Sequence, residues 1–240
     1  MTTMEITTYP PLMLALEPYH AMLDFFAGHA WRPTPLKRGD GHPVLVYPGL
    51  GVSGAATTDL RARLLQLGYQ VYDWEMGVSV WPLMGLDAWL AMLAGHLRKI
   101  HDAHDSPVSV VGWSLGGIYA RELAKLHPEC IRQVITLGTP FGGDFKIPKE
   151  QHAFPGLSAV APLMDAALLT RLRELPPVPS TSIYSQTDGV VDWTRCIGPQ
   201  STLHQSVEVS GVSHFGMVHH PEVLRVISDL LAVPQHGRHS

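Results

Sequence analysis

The chain is short of cysteine, of charge and of long apolar runs, and each shortage narrows what it can be. Two cysteines in 240 residues, Cys130 and Cys196, are too few for a disulfide framework and lack the spacing of a metal motif. Reduced, buried thiols are the expectation for both, and no metal site is expected. Charged residues make up only 16% of the chain and the formal net charge is -4, with no basic tract. Nothing here supplies the positive footprint that nucleic acid requires, so no such partner is expected. Charges, prolines or glycines interrupt every apolar stretch before it reaches the length of a membrane span, which argues against integral membrane association. The start of the chain carries Glu5, Glu17 and Asp24 and lacks a basic segment followed by an apolar run. It does not read as a secretory signal, and a cytoplasmic location is the expectation.

Apolar residues, at 45%, are plentiful enough for one α/β domain over residues 1–240 with a sizeable core. Residues 1–41 stand apart as a proline-punctuated extension, with Leu12 to Phe26 suited to one or two short helices. A regular alternation then begins. Val44 to Tyr47, Tyr69 to Trp74, Val108 to Trp113, Ile131 to Leu137, Thr181 to Ser185 and Ser206 to Val209 read as short apolar strands. Between and after them, helices are expected from a Thr57 or Thr58 cap to Gly68, over Leu86 to His104, over Leu115 to His127, and from Pro221 to Leu231. Such alternation predicts a doubly wound, mostly parallel sheet of about six strands with helices on both faces. Residues 141–179 break the rhythm and form a small cap or insertion. Leu157, Val160, Ala161, Met164, Leu168 and Leu172 recur there at helical spacing, as core packing more readily than as a lid.

The most informative stretch is Val108 to Gly117, an apolar run that ends abruptly in Gly112-Trp113-Ser114-Leu115-Gly116. A serine between glycines, where a buried strand turns straight into a helix, has its hydroxyl pushed out above the sheet edge. Side chains at positions 112 and 116 would collide across so sharp a turn. A serine hydroxyl holds its proton too tightly to attack a carbonyl unaided. It needs a neutral imidazole to take that proton and a carboxylate to orient the imidazole.

In a doubly wound sheet, chemistry collects beyond the carboxyl ends of the strands. Asp188 lies in a turn after one late strand, with Asp192 four residues on as a rival acid. His214 lies in the loop after the last strand, with His219 as the nearest competitor. His214, His219 and His220, or His101 and His104, could be read as metal ligands, but neither group has a carboxylate or cysteine partner at a recognisable interval. The backbone N–H of Leu115, next to the serine at a helix N-terminus, is placed to hold a developing oxyanion.

Together, Tyr47-Pro48-Gly49-Leu50, the Gly112-to-Gly117 elbow, Thr136 to Pro140, Thr187 to Val191 and Ser213-His214 resemble the α/β-hydrolase superfamily, and within it bacterial triacylglycerol-lipase-like esterases. The resemblance runs from about Val44 to Leu231. It implies Ser114 as nucleophile, Asp188 rather than Asp192 as the orienting acid, and His214 as general base. It also implies Leu50 N–H as the second oxyanion donor, in a loop where Gly49 and Gly51 serve a simple turn equally well. The implied activity is hydrolysis of carboxylic esters, with a small-molecule or lipid ester as partner and no cofactor. The modest size of the Phe141-to-Pro179 insertion suggests an open or lightly covered pocket, hence short- to medium-chain acyl groups. An acyltransferase or perhydrolase would use the same residues. A non-catalytic binding protein on this scaffold is disfavoured by the retained serine, acid and histidine. The chain departs from the pattern in two ways. Trp113 stands where many relatives have histidine, which is expected to bear on substrate fit. The first strands of larger members are missing, and the N-terminal segment is expected to cover that sheet edge. Trp81, Trp89, Trp113 and Trp193 are candidates for a substrate pocket, with core packing as their commoner role.

Overall fold

The computed structural model describes residues 11–30, 36–142 and 165–233. Strands β1 (Pro43–Tyr47), β2 (Gln70–Asp73), β3 (Val108–Trp113), β4 (Ile131–Leu137), β5 (Ser180–Tyr184) and β6 (His204–Glu208) form one sheet. Their order across it is β2-β1-β3-β4-β5-β6, and every neighbouring pair is parallel. Helices α1 (Pro11–Ala30), α2 (Thr58–Gln66), α3 (Leu86–His104), α4 (Leu115–Leu126), α5 (Ala166–Arg173) and α6 (Pro221–Leu231) accompany it.

Alternate strand residues point to opposite faces, and this sorts the core into two layers. Leu45 and Tyr47 of β1 pack with Leu90, Leu93 and Leu97 of α3 and with Ile118 and Leu123 of α4. Val44 and Val46 pack on the other face with Leu60 and Leu64 of α2 and with Val223 and Ile227 of α6. Strands β1 and β3 are buried along their whole length, which is why they read as unbroken apolar runs.

The chain passes from β1 to β2 on one side, then returns to place β3 on the other. Tyr47 therefore lies beside Gly112, and the carboxyl ends of β1 and β3 open together at this reversal. A crevice at such a reversal is where doubly wound sheets carry out their chemistry.

Of the N-terminal segment, residues 11–30 form α1, which continues through Pro18 and is longer than the one or two short helices expected. Two expectations are corrected. Among the described residues, α1 does not cover the β2 edge. It packs against the short 3-10 turn Phe215–Val218 beyond β6, on the opposite half of the sheet, where its buried carboxylates find backbone donors. Thr57 occupies the cap position before α2, yet its hydroxyl donates to Gly54 O at 3.0 Å, closing the 3-10 turn Gly54–Thr57 instead of capping the helix. Of the apolar stripe in 141–179, Leu168 and Leu172 lie on α5 and join the core, Leu172 fully buried. Residues 157–164 of that stripe lie outside the described residues. No helix among the described residues is long and apolar enough to cross a membrane. Cys130 and Cys196 are buried and unbridged.

Candidate active site

Ser114 sits between β3 and α4 with φ 53° and ψ -118°. This is a costly conformation for a residue with a side chain, on the order of 1–3 kcal/mol. The surroundings enforce it. A Cβ at Gly112 would lie 2.5 Å from Gly116 O and Gly117 Cα, and one at Gly116 would lie 2.6 Å from Tyr47 O and Pro48 O. Both glycines are thus required by backbone contact, the second because α4 starts against the end of β1. The Ser114 amide donates to Leu137 O at 2.8 Å, which ties the turn to β4. The side chain is half-buried, so the elbow is reachable from outside.

The acid and the imidazole come from loops after β5 and β6. Asp188 and His214 are 1% and 3% exposed, and His214 Nδ1 lies 2.7 Å from Asp188 Oδ2. The other carboxylate oxygen, Oδ1, accepts from Val190 N–H at 2.9 Å and Val191 N–H at 2.7 Å. With Asp188 accepting on both oxygens, the ring is fixed with Nδ1 as donor and Nε2 left to accept a proton. Burial alone pulls the His214 pKa down. The charge and hydrogen bond of Asp188, helped by Glu17, more than reverse this and hold it above its ordinary 6.5.

Asp192, the rival acid, is committed elsewhere. It caps the 3-10 turn Trp193–Arg195, accepting from Thr194 N–H at 3.0 Å and Thr194 Oγ1 at 2.7 Å. His219 pairs with Asp59 at 3.4 Å, and His220 caps α6 by accepting from Glu222 N–H at 3.2 Å. His101 lies beside Asp102, while His104 shares a 2.6 Å hydrogen bond with Tyr72. The histidines that could have been grouped as metal ligands therefore face separate partners. Among the described residues, no group of three or more His, Cys, Asp or Glu is assembled to hold a metal.

Two links place the Asp–His pair at the elbow. The Trp113 indole, immediately before Ser114, donates from Nε1 to His214 O at 3.1 Å, and its ring lies 5.7 Å from the His214 ring. Gly138 follows Leu137, the acceptor of the Ser114 amide. A Cβ there would meet Asp188 Oδ2 at 2.9 Å and His214 Nδ1 at 3.1 Å. Trp113 therefore bears on where the imidazole sits. The other tryptophans are structural contacts. Trp81 is buried in the core, Trp89 packs on Trp74 and Tyr119, and Trp193 stacks on Tyr184.

Leu115 opens α4, where the first N–H groups have no acceptor within the helix and the dipole favours negative charge. Leu50 lies half-buried in the loop after β1. The next amide, Gly51 N–H, is held by Ser79 O at 2.7 Å, and Ser79 N–H donates back to Val52 O at 2.8 Å. That pair of bonds pins the loop beside the sheet end.

No family model matches the chain. Among curated proteins, it is 32% identical over 131 residues to the polyketide synthase ThaQ of Burkholderia thailandensis, covering 53% of this chain and 6% of the synthase. It is 31% identical over 124 residues to a pimeloyl-[acyl-carrier protein] methyl ester esterase of a Shewanella species, covering 50% of this chain and 42% of the esterase. The match thus spans less than half of either curated relative. Among solved structures, a mature lipase of Bacillus licheniformis superposes with a TM-score of 0.63 at 18% identity, covering 84% of this chain and 95% of the lipase. A monoacylglycerol lipase of Paleococcus ferrophilus gives 0.58 at 16% identity, covering 84% and 98%. The chain has the α/β-hydrolase fold.

Several contacts around the site were not legible beforehand. Glu17 of α1 is fully buried and accepts from Gly189 N–H at 2.9 Å and Phe215 N–H at 3.1 Å. Asp24 is 5% exposed and accepts from Ser213 N–H at 2.9 Å and Ser213 Oγ at 2.5 Å. Acids seven apart on one helix lie on one face, and that spacing inside an otherwise apolar segment was the available signal.

Proposed function

We propose that this protein is a carboxylic ester hydrolase that works through an acyl-enzyme on Ser114. The observation that carries the reading is the buried 2.7 Å contact between Asp188 and His214, at the sheet end where the strained serine turn opens. A fully buried carboxylate aimed at one ring nitrogen leaves the other as a base of raised affinity, which is what a serine hydroxyl needs.

In the proposed cycle, His214 Nε2 takes the Ser114 hydroxyl proton as Oγ bonds to the ester carbonyl carbon. The carbonyl oxygen gains the charge, and the Leu50 and Leu115 N–H groups donate to it, with the start of α4 adding its dipole. The tetrahedral centre collapses as its bond to the alcohol oxygen breaks, and His214 gives that oxygen its proton. A water molecule then loses a proton to His214, attacks the acyl carbon and releases the acid, restoring Ser114. The names of the curated relative and of the solved neighbours favour esters over amides as substrates, and short- to medium-chain acyl groups are the proposed class. Transfer of the same acyl group to an alcohol or peroxide is the competing outcome, and product analysis with added alcohol separates it from hydrolysis.

A phosphonate ester probe tests the reading. It is expected to label the protein once, with the adduct mapping to Ser114, and Ser114→Ala is expected to abolish both labelling and turnover of a chromogenic short-chain ester. Folded protein that is not labelled, or is labelled elsewhere, overturns it.

A further inference from the structure

We propose that α1 is a positioning element for the acid–base pair, with Glu17 and Asp24 holding the backbone on both sides of His214 and just after Asp188. The inference rests on the hydrolase reading above and adds to it two residues from a segment far from the serine, acid and histidine in sequence.

The geometry is specific. Glu17 reaches two loops at once, one carboxylate oxygen on Gly189, the residue after Asp188, and the other on Phe215, the residue after His214. Asp24 takes the residue before His214, accepting from both the amide and the hydroxyl of Ser213. The Ser213 hydroxyl oxygen in turn accepts from Gly216 N–H at 2.9 Å, which closes the turn around the imidazole. A Cβ at Gly216 would lie 1.9 Å from Asp24 Oδ2, so glycine is what lets that carboxylate approach. Three consecutive residues, 213 to 215, thus have both flanks of the histidine tied to one helix.

A purely structural helix would not need this chemistry. Buried carboxylates are costly to desolvate, and apolar side chains would attach α1 to the domain more cheaply. Carboxylates, unlike methyl groups, fix N–H vectors, and those vectors set where the Asp188 and His214 side chains start. Glu17 also places negative charge beside the ring. The charged groups facing Glu17 are Asp188 and His214, and those facing His214 are Asp188 and Glu17. Asp24 lies on the same helix face, and the buried Cys196 thiol, pushed up by burial and by Asp188 and Asp192, is also near the acid. Burial and Asp188 push the Glu17 carboxyl above its usual range, while His214 and the two N–H donors pull it back.

The test is Glu17→Gln, which keeps the size of the side chain but sets an amide nitrogen against one of the two N–H donors. Each variant is compared per active site, counted by phosphonate titration, well below its melting temperature. Glu17→Gln is expected to lower kcat by about 10- to 100-fold with little change in KM, the scale on which misplaced catalytic groups lose rate. The acid limb of kcat/KM is expected to move to lower pH, because a charge that favours the imidazolium is gone. Glu17→Asp keeps charge and acceptors at shorter reach, and is expected to restore the limb while recovering only part of kcat. Asp24→Asn is read by its loss of kcat with KM kept, and serves alone if Glu17→Gln does not fold. Glu122→Gln, which removes a buried carboxylate of α4 paired with Lys125 of the same helix and Arg171 of α5, is the control, expected to lose thermal stability with kcat kept. The proposal is overturned if folded Glu17→Gln or Asp24→Asn turns over at the wild-type rate per site, or if Glu122→Gln loses kcat as they do. An inactive, unlabelled wild type would instead overturn the hydrolase reading itself.

Discussion

Gly138 offers a sharp test of whether the Asp188–His214 pair is the working part of the site. It has φ +54°, and the nearest atoms to an added Cβ are Asp188 Oδ2 at 2.9 Å and His214 Nδ1 at 3.1 Å. Gly138→Ala therefore does two separable things. It places a side chain in the left-handed region, which costs about 1–2 kcal/mol. It also drives a methyl group into the acid–base pair, where non-bonded atoms ordinarily stand about 3.5 Å apart, so the pair must retreat by roughly half an ångström. Gly41 separates these effects. It has φ +85° with only Gly68 O, at 4.0 Å, within reach of an added Cβ, and it lies before β1 at the opposite end of the sheet. Both variants are expected to melt a few degrees lower, at about 2–4 °C per kcal/mol for a domain of this size. Only Gly138→Ala is expected to lose kcat, by about tenfold, since a displacement near 1 Å costs about a hundredfold. Steady-state hydrolysis of a chromogenic ester, beside thermal melts, measures both quantities. Equal kcat in the two variants would refute the placement of the pair at the reacting centre.

The other expectations concern the acid and the base. Asp188→Asn removes the partner of His214 Nδ1 and is expected to lower kcat by about 10⁴-fold, the loss known when a triad acid is made an amide. Asp192→Asn disturbs only the cap of a short turn and is expected to cost less than about tenfold, on the scale of lost cap hydrogen bonds. The reverse ranking in ester hydrolysis would move the acid to Asp192. In pH profiles, the base must be neutral to act, so kcat/KM falls as pH drops through the His214 pKa. That value is held above 6.5 by Asp188 and Glu17 against the opposing pull of burial, so the acid limb is expected to have its midpoint above pH 6.5. A midpoint below 6.5 in the wild type contradicts that balance.

Most of the sheet was legible because its strands are buried on both faces, and an apolar run bounded by glycine and proline has few other uses. The strand ends moved by a residue or two, as at β6, expected from Ser206 and found from His204. Strand β6 is half-exposed and carries polar residues, so composition marks its start poorly. The serine elbow was legible because its pattern is compact in sequence, with Gly112 answering to Gly116 and Gly117 a few residues on, even though Gly116 itself answers to Tyr47 and Pro48 of the neighbouring strand end. Gly138, Trp113, Glu17 and Asp24 answer to contacts 50 or more residues away, with Gly138 set against Asp188 and His214, and Asp24 held 189 residues from Ser213. None of these four belongs to a compact motif, so no local pattern announces its partner. For Trp113, the local pattern shows that it precedes the serine but not that its N–H reaches the backbone of His214.

The position of α1 follows from the same topology that makes the site. In the proposed cycle, chemistry at the β1/β3 reversal takes its base from the loop after β6, and β6 is the edge of the sheet. A loop that leaves an edge strand has a strand neighbour on one side only, here β5 and its loop. Bonds to the backbone on that side are Val209 N–H to Tyr184 O at 2.8 Å, Thr187 Oγ1 to Val212 O at 3.0 Å and Val212 N–H to Ser185 Oγ at 3.3 Å. All three end before Ser213, so the backbone of the imidazole's own turn is held from elsewhere. Trp113 holds it from the strand beneath, through the His214 carbonyl. The amides on either side still need acceptors, because an unpaired buried N–H costs about 1–3 kcal/mol. Glu17 and Asp24 are those acceptors. As carboxylates they satisfy the amides, and Glu17 adds charge favouring the imidazolium of the proposed cycle, which an apolar helix in the same place could not do.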